Sequence, residues 1–391
     1  MRIGIDARTI LNPEKGDAIG VGHYTFQLIR NLLEIDRENE YVLFFDFRVR
    51  EKDVKKFTRP NVKIKFYPFS DYKKYLPGAY SEILGTATLQ KEKLDVLHST
   101  SPFSRIPLGY KGKTVVTFND LGAYKIPGCF PAIARSRDKA LYRLMESKAD
   151  RIIAVSESMK KDLQSVFKTK DEKIKIIYSG LDRRFFEIPD INTKKVLDRY
   201  GIKKKYILFL GTLEPSKNIT RLLQSFAKFK EKCLLKNGQT NGKKFRYQLV
   251  LAGKRGWLSK EYLQIAKDLG ISRDIAYTGY VIGDELVPLF SGAEFFVMPS
   301  LYEGFGMTIL EAFATGTPAI VSNVSSIPEI AGDAALMINP LNVNEISEAM
   351  WEFSQNDNLR EKYKQRGLAR AKDFNWEKCA RETLEVYKSL I

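Results

Sequence analysis

Residues 300–323 read SLYEGFGMTILEAFATGTPAIVSN. The run before them, AEFFVMP (293–299), is short, aromatic and β-branched, as suits a strand buried on both faces, and PAIVS (318–322) is a second such run. Between the two, Met307–Thr315 holds strong helix formers with Ile309 and Phe313 four apart, and Gly316 followed by Pro318 ends the helix. The unit is strand, loop, helix, strand. Parallel strands joined through a helix cross over right-handed, so the loop carrying Glu303 belongs at the carboxyl edge of the sheet, where open α/β sheets bind ligands. Glu311 falls about one turn into the helix. Gly304 and Gly306 leave the first free amides of that helix open, and a helix amino end attracts anions. An anionic group is expected beside Gly306, with a carboxylate on either flank. The competing reading is local: an acid early in a helix complements the dipole, for about 0.3–1 kcal/mol at an exposed site.

Working outward, the same alternation runs along the chain. Strand-like segments RIGIDA, YVLFFD, VKIKFYP, DVLHS, TVVTFND and RIIAVS occupy the first half, and YILFLGT, YQLVLAG, IAYTGY, EFFVMPS and AIVSN the second. Strands alternating with helices imply parallel sheets built from βαβ units. At 391 residues the chain exceeds the size at which one core stops growing, so two domains are expected. IKIIYSGLDRRFFEIPD, residues 174–190, has no helical period and is the candidate linker between two doubly wound domains facing a central cleft. The polar tract over 236–244 is expected as an exposed loop.

Composition bounds the function. Hydrophobic residues make up 44% and charged residues 28%, which supports a sizeable core and gives no sign of disorder. No apolar run approaches membrane-spanning length, and the expectation is a soluble, unprocessed cytoplasmic chain. Three scattered cysteines, Cys129, Cys233 and Cys379, and two histidines, His23 and His98, argue against a disulfide framework and a clustered zinc site. The 64 basic against 47 acidic residues give a net charge of +17, a field that favours anionic partners. The lysines are spread along the chain without the aromatic spacing of a nucleic-acid module, so nucleic acid is not the expected partner.

Other loops repeat the logic. Gly16, Gly20 and Gly22 follow the first strand and precede an apolar-periodic helix, where backbone must approach a ligand closely or merely turn. Lys217, in LGTLEPSKNITRLLQSF, starts a helix after a strand, where a lysine either meets an anion or is solvated. LAGKRGW repeats strand, glycine and lysine at Lys254.

Taken together these segments resemble a family. EGFGMTILE is similar to the Glu-x7-Glu motif of retaining glycosyltransferases of the GT4 type, which have the two-domain GT-B fold. GTLEPSKN, LAGKRGW, TGYV, SGAEFFVMPSLYEGFG and SNVSSIPEIAGDAALMINP resemble that family's nucleotide-sugar domain in the expected order. GIDARTI, GVGHYT, VVTFNDL, RIIAVSESMKKDL and IIYSGLD resemble its amino-terminal half, so the likeness spans the chain. It implies an acceptor-side domain over 1–185, a nucleotide-sugar domain over 186–374, and a final helix, 375–391, that packs back on the first. It also implies that Glu311 binds the ribose hydroxyls and that Glu303 lies near the transferred sugar. Gly306, Met307 and Thr308 would meet sugar or phosphate through the helix end. Lys217 would balance the diphosphate, Gly211 and Lys254 would line the same site, and Gly20 to Gly22 would close over the phosphates. Asn119 and Asp120 match the position near the transferred sugar.

The chain departs from the pattern twice. Ser216 stands where many relatives have an arginine, which leaves phosphate charge to Lys217 with Lys254 or Arg255. Asn119 stands where many have a histidine; its amide can donate to a sugar hydroxyl but cannot shuttle a proton. The leaving phosphate helping to deprotonate the acceptor needs no histidine. No Asp-x-Asp pair occurs, so metal independence is expected and no cofactor beyond the nucleotide-diphospho-sugar substrate. The expected activity is hexose transfer from GDP-mannose or a UDP-sugar to a glycan or lipid-linked acceptor. A non-catalytic scaffold of the same fold or a sugar-nucleotide epimerase is the alternative. The basic helix AIARSRDKALYRLMESK (132–148) and DYKKYLPGAY (71–80) either meet anionic lipid on the inner face of the membrane or are solvated surface.

Overall fold

The computed structural model describes residues 1–11, 20–67, 79–187, 192–236, 245–281 and 283–391. Gly16, all but the last two residues of DYKKYLPGAY, and 237–244 of the expected loop lie outside them.

Among the described residues the strands form two parallel sheets. The first contains β1 (Arg2–Asp6), β2 (Glu40–Asp46), β3 (Val62–Tyr67), β4 (Val96–Ser99), β5 (Lys113–Phe118), β6 (Arg151–Ala154) and β7 (Ile174–Ile176), in the order β3-β2-β1-β4-β5-β6-β7. The second contains β8 (Lys205–Leu210), β9 (Tyr247–Ala252), β10 (Ile275–Gly279), β11 (Phe295–Met298), β12 (Ala319–Ser322) and β13 (Leu336–Ile338), in the order β10-β9-β8-β11-β12-β13. Every paired neighbour is parallel; Ile3 sits opposite Tyr41 on one side and Val96 on the other. Continuous apolar strands such as Phe295–Met298 and Ala319–Ser322 are buried along their whole length, as helices on both faces require.

The crossovers of the first sheet carry α1 (Gly20–Ile35), α2 (Ala79–Lys91), α3 (Gly122–Lys125), α4 (Ala132–Lys148) and α5 (Glu157–Phe167). Helix α6 (Thr193–Arg199) precedes the second sheet, whose crossovers carry α7 (Ile219–Lys236), α8 (Ser259–Asp268), α9 (Leu286–Ser291), α10 (Met307–Ala314) and α11 (Ile327–Ala331), followed by α12 (Val343–Gln355), α13 (Asp357–Ala371) and α14 (Trp376–Lys388). Each sheet reverses its strand order once, between β1 and β4 and between β8 and β11. Those reversals are where doubly wound sheets bind ligands, because the flanking loops part there.

The chain divides into two units: Met1–Tyr124, Pro131–Gly180 and Phe374–Ile391 form one, and Lys125–Phe130 with Leu181–Asp373 the other. The division falls at Gly180, five residues before the boundary drawn from sequence at 185. Part of the segment read as linker is a strand: Ile174–Ile176 pairs with β6 as the edge of the first sheet. A second strand, Leu336–Ile338, pairs with β12 inside a stretch read only as motif. Three-residue edge strands are too short to show a period, so only their neighbours reveal them.

Candidate functional site

The site in the second unit grows from the loops after β8, β9 and β11, joined by backbone hydrogen bonds. Gly211 N donates to Ala252 O at 2.9 Å and Leu213 N to Lys254 O at 2.9 Å, while Leu301 N donates to Ser216 O at 2.8 Å. At Gly253, with φ of +143°, a Cβ would sit 1.9 Å from Gly211 O, so the first two loops touch only because that residue is glycine.

Lys217 ends a short 3-10 turn, Pro215–Lys217, ahead of α7 rather than starting the helix itself. Its ammonium lies 2.7 Å from Glu303 Oε1 across the β8/β11 reversal, and both side chains are largely buried, at 22% and 15% exposed. The two groups predicted separately from sequence are thus an ion pair. Ser216 is buried, and its hydroxyl donates to Glu214 Oε1 at 2.7 Å; it points no polar group at a ligand in place of the absent arginine.

The Glu303 loop is held from below. Ser326 Oγ donates to Glu303 O at 2.8 Å and Phe305 O at 3.0 Å, and Glu303 N donates to Ser325 Oγ at 2.9 Å. Sequence reasoning passed over these serines, although their place in SNVSSIPEI was within the recognised motif. Gly306, with φ of +99°, begins α10, and no side chain caps that end. The amides of Met307 and Thr308 therefore face outward at the positive end of the helix. The Thr308 hydroxyl itself donates to Met298 Sδ at 3.2 Å.

Glu311 is buried, at 7% exposed, and among the described residues no hydrogen bond holds its carboxyl. Burial pushes its pKa up to about 7, against a lowering by Arg184 and a further raising by Asp182. The exposed-helix explanation for this acid fails, since a carboxyl complementing the dipole would remain in water. Lys254, exposed, lies 4.5 Å from the centre of the Tyr280 ring.

The remaining candidates belong to the first unit. Gly20, with φ of +64°, opens α1, and Gly22 is buried in its first turn. Asn119 and Asp120 follow β5. Asn119 Nδ2 donates to Thr100 O at 2.9 Å, so part of the amide expected to face a sugar is committed to the loop after β4. Asp120 accepts from Gly122 N with Oδ1 and braces the start of α3. Among the described residues no cluster of His, Cys, Asp or Glu is placed to hold a metal ion. No described helix is long and apolar enough to cross a membrane.

Residues 193–370 match the family Glycosyl transferases group 1, and residues 19–185 match Glycosyltransferase Family 4. The O-antigen chain mannosyltransferase B of Escherichia coli is 35% identical over 280 residues, 71% of this chain and 71% of that protein. Among solved structures, the sucrose-phosphate synthase of Thermosynechococcus elongatus superposes with a TM-score of 0.78 at 18% identity, covering 100% of this chain and 99% of that one. Anabaena HepE, solved with UDP and glucose, gives 0.73 at 16% identity with 100% of both chains covered.

Proposed function

The chain belongs to the GT-B glycosyltransferases, and from that premise we propose that it is a retaining, metal-independent hexosyltransferase using a nucleotide-diphospho-sugar. The observation that carries the donor assignment is Glu311: a buried carboxyl with no hydrogen bond among the described residues, one helix turn from the amides that open α10. A ribose diol would supply that carboxyl with two hydrogen-bond donors. Lys217 and the amides of Met307 and Thr308 then receive the diphosphate. Gly211 and Lys254 line the same loops, and Gly20 and Gly22, at the start of α1, are proposed to contact phosphate.

Breaking the sugar-phosphate bond builds negative charge on the diphosphate and positive charge at the anomeric carbon. Preorganised Lys217 and the α10 amides oppose the first, and Glu303 favours the second. Glu303 accepts one hydrogen of the Lys217 ammonium and holds it at the β8/β11 reversal. Asn119 and Asp120 are proposed to orient the sugar, with the leaving phosphate assisting the acceptor's deprotonation.

Mannose is the favoured hexose because the E. coli relative is named a mannosyltransferase; UDP-sugars remain the other arm, because HepE was solved with UDP and glucose. A glycan or lipid-linked acceptor fits the first unit, where α4 buries Asp138, Tyr142 and Met145 and leaves Ile133 89% exposed among basic residues. Co-sedimentation with anionic vesicles at low salt separates the two acceptors: binding supports the lipid-linked one, and its absence leaves a soluble glycan.

The donor reading is tested by thermal shift and turnover with GDP- and UDP-sugars on wild type and Glu311→Ala. One nucleotide class is expected to stabilise the wild type and to lose that effect in the variant, with turnover unchanged by chelator. Failure of every sugar nucleotide to shift the melting point would favour a non-catalytic scaffold.

A further inference from the structure

At the amino edge of the second sheet lies a cavity of about 730 Å³ that the donor reading does not use. Lys204 stands just before β8, Phe245 just before β9 and Asp274 just before β10, and parallel pairing brings those three strand starts together. The donor loops leave the opposite ends of β8 and β9, roughly 20 Å away at the rise of a six-residue strand. Asp274 is buried, and its carboxylate holds two ammoniums: Lys204 Nζ is 2.9 Å from Oδ1 and Lys230 Nζ, from α7, is 2.9 Å from Oδ2. Lys230 also donates to Gly270 O at 3.2 Å. Burial would raise the Asp274 carboxyl, but the hydrogen bonds from Lys204 and Lys230 outweigh it and hold the pKa below its ordinary value, so the acid is ionised. Lys267 and Arg273 line the same cavity, and their exposed side chains have no ion-pair or hydrogen-bond partner among the described residues.

We propose that this cavity is an anion site separate from the donor loops and that it takes a phosphate monoester. The phosphate bridges the ammoniums that Asp274 aligns and meets Arg273, while the organic part of the ester rests on Phe245 and Leu234.

Charge makes the first part of the case. Four cations face one carboxylate, since Asp274 is the single acid among the described residues that line the cavity. A concave site focuses such an excess, whereas lysines scattered over a convex face are simply solvated. The neighbouring acid Asp268 accepts from Gln264 Nε2 at 2.7 Å and lines the adjoining groove instead. Lys267 has an ordinary duty as well, in the last turn of α8, where a cation complements the helix dipole. Arg273, beyond that helix, has none. Geometry makes the second part. Two ammoniums seated on the two oxygens of one carboxylate are spaced to meet neighbouring oxygens of one further anion, and a guanidinium fork suits phosphate. A phosphate monoester carries about −1.5 to −2 at pH 7, which approaches the uncompensated charge better than a single carboxylate does. The wall makes the third. Leu234 and Phe245 are half-buried, and the Phe245 ring is fixed against Phe226, Phe229 and Tyr247 with Lys230 Nζ 6.0 Å from its centre. A polar cluster beside a fixed apolar wall is the usual form of a small-molecule pocket.

Titration calorimetry of the full chain with inorganic phosphate and with phenyl phosphate, at low salt and pH 7.5, tests the site. Wild type is compared with Lys267→Ser/Arg273→Ser, which removes two exposed side chains without a partner, with Lys204→Ala, which leaves Lys230 on Asp274, and with Lys217→Ala, which disables the proposed donor site. Melting temperatures confirm that each variant is folded. Wild type and Lys217→Ala are expected to bind phenyl phosphate alike and more tightly than inorganic phosphate, because only the ester reaches Phe245 and Leu234. Lys267→Ser/Arg273→Ser should bind about tenfold more weakly, the size of two exposed charge contacts, and Lys204→Ala should also lose affinity. Added salt should weaken wild-type binding. Absence of binding, wild-type affinity in Lys267→Ser/Arg273→Ser, or loss of all binding in Lys217→Ala alone would each overturn the proposal. Co-sedimentation with phosphatidic acid vesicles then identifies the source of the phosphate. Sedimentation that falls in Lys267→Ser/Arg273→Ser assigns it to a lipid headgroup, and sedimentation that is absent or unchanged assigns it to a soluble ester.

Discussion

Glu311 carries opposite consequences for binding and for stability. Its folded pKa of about 7 lies above the ordinary 4.5. The stability this proton contributes is complete below about 4.5 and is lost as pH rises through 7, because the buried carboxyl must then ionise without a hydrogen bond. Glu311→Gln removes that charge. The variant is expected to melt higher than wild type at pH 8, by the equivalent of roughly 1–3 kcal/mol at about 1.4 kcal/mol per pKa unit, and to lose the gain at pH 5. Denaturant titration at the two pH values checks the crossover; equal stabilities at both would show that Glu311 is not strained. Lys217 behaves differently, since its charge is paired with Glu303. Lys217→Ala is expected to lower turnover by on the order of 10²–10³, as loss of one preorganised donor does, with the effect in kcat rather than in KM alone. Steady-state kinetics measures it. At this scale the sequence showed which residue types were present and where they fell in their elements. It could not show that Lys217 meets Glu303.

Elements bring these residues within reach through close loop contacts. Gly253 is the tightest: a Cβ would meet Gly211 O at 1.9 Å, at a φ of +143° that other residues avoid. Gly253→Ala must part the loops after β8 and β9, and a loss of roughly 2–4 kcal/mol is expected from backbone strain and overpacking together. Weaker donor binding should accompany it, read by thermal shift with and without sugar nucleotide. Helix α10 was legible to within one residue, read as Met307 to Thr315 and found as Met307 to Ala314, because its apolar spacing and its Gly306 and Gly316 boundaries are local signals. Strands β7 and β13 were not legible, since three residues carry no period and their pairing depends on β6 and β12.

Over the whole molecule, the last helix belongs with the first sheet. Helix α14 packs on α1, where Trp376 meets the rings of His23 and Tyr24, and Tyr387 Oη lies 2.6 Å from His98 Nδ1. His98 Nε2 is satisfied in turn by Thr117 Oγ1 at 2.8 Å, and burial holds the imidazole neutral, with its pKa lowered to about 3. Tyr387→Phe leaves one buried ring nitrogen without its partner. A loss of about 1–3 kcal/mol is expected, seen in denaturant unfolding of the full chain; no change would mean that water replaces the hydroxyl. Alternation of apolar strands with periodic helices was enough to determine two parallel α/β sheets, and glycine-bounded loops placed Glu303 and Glu311 at one sheet's carboxyl edge. Those features follow from spacings of two to four residues, written in any short stretch. Lys217 and Glu303 are separated by 86 positions and His98 and Tyr387 by 289. Such pairs form only when β8 lies beside β11 and α14 returns to α1, arrangements set by strand order and crossover packing, so the tertiary structure alone decided them.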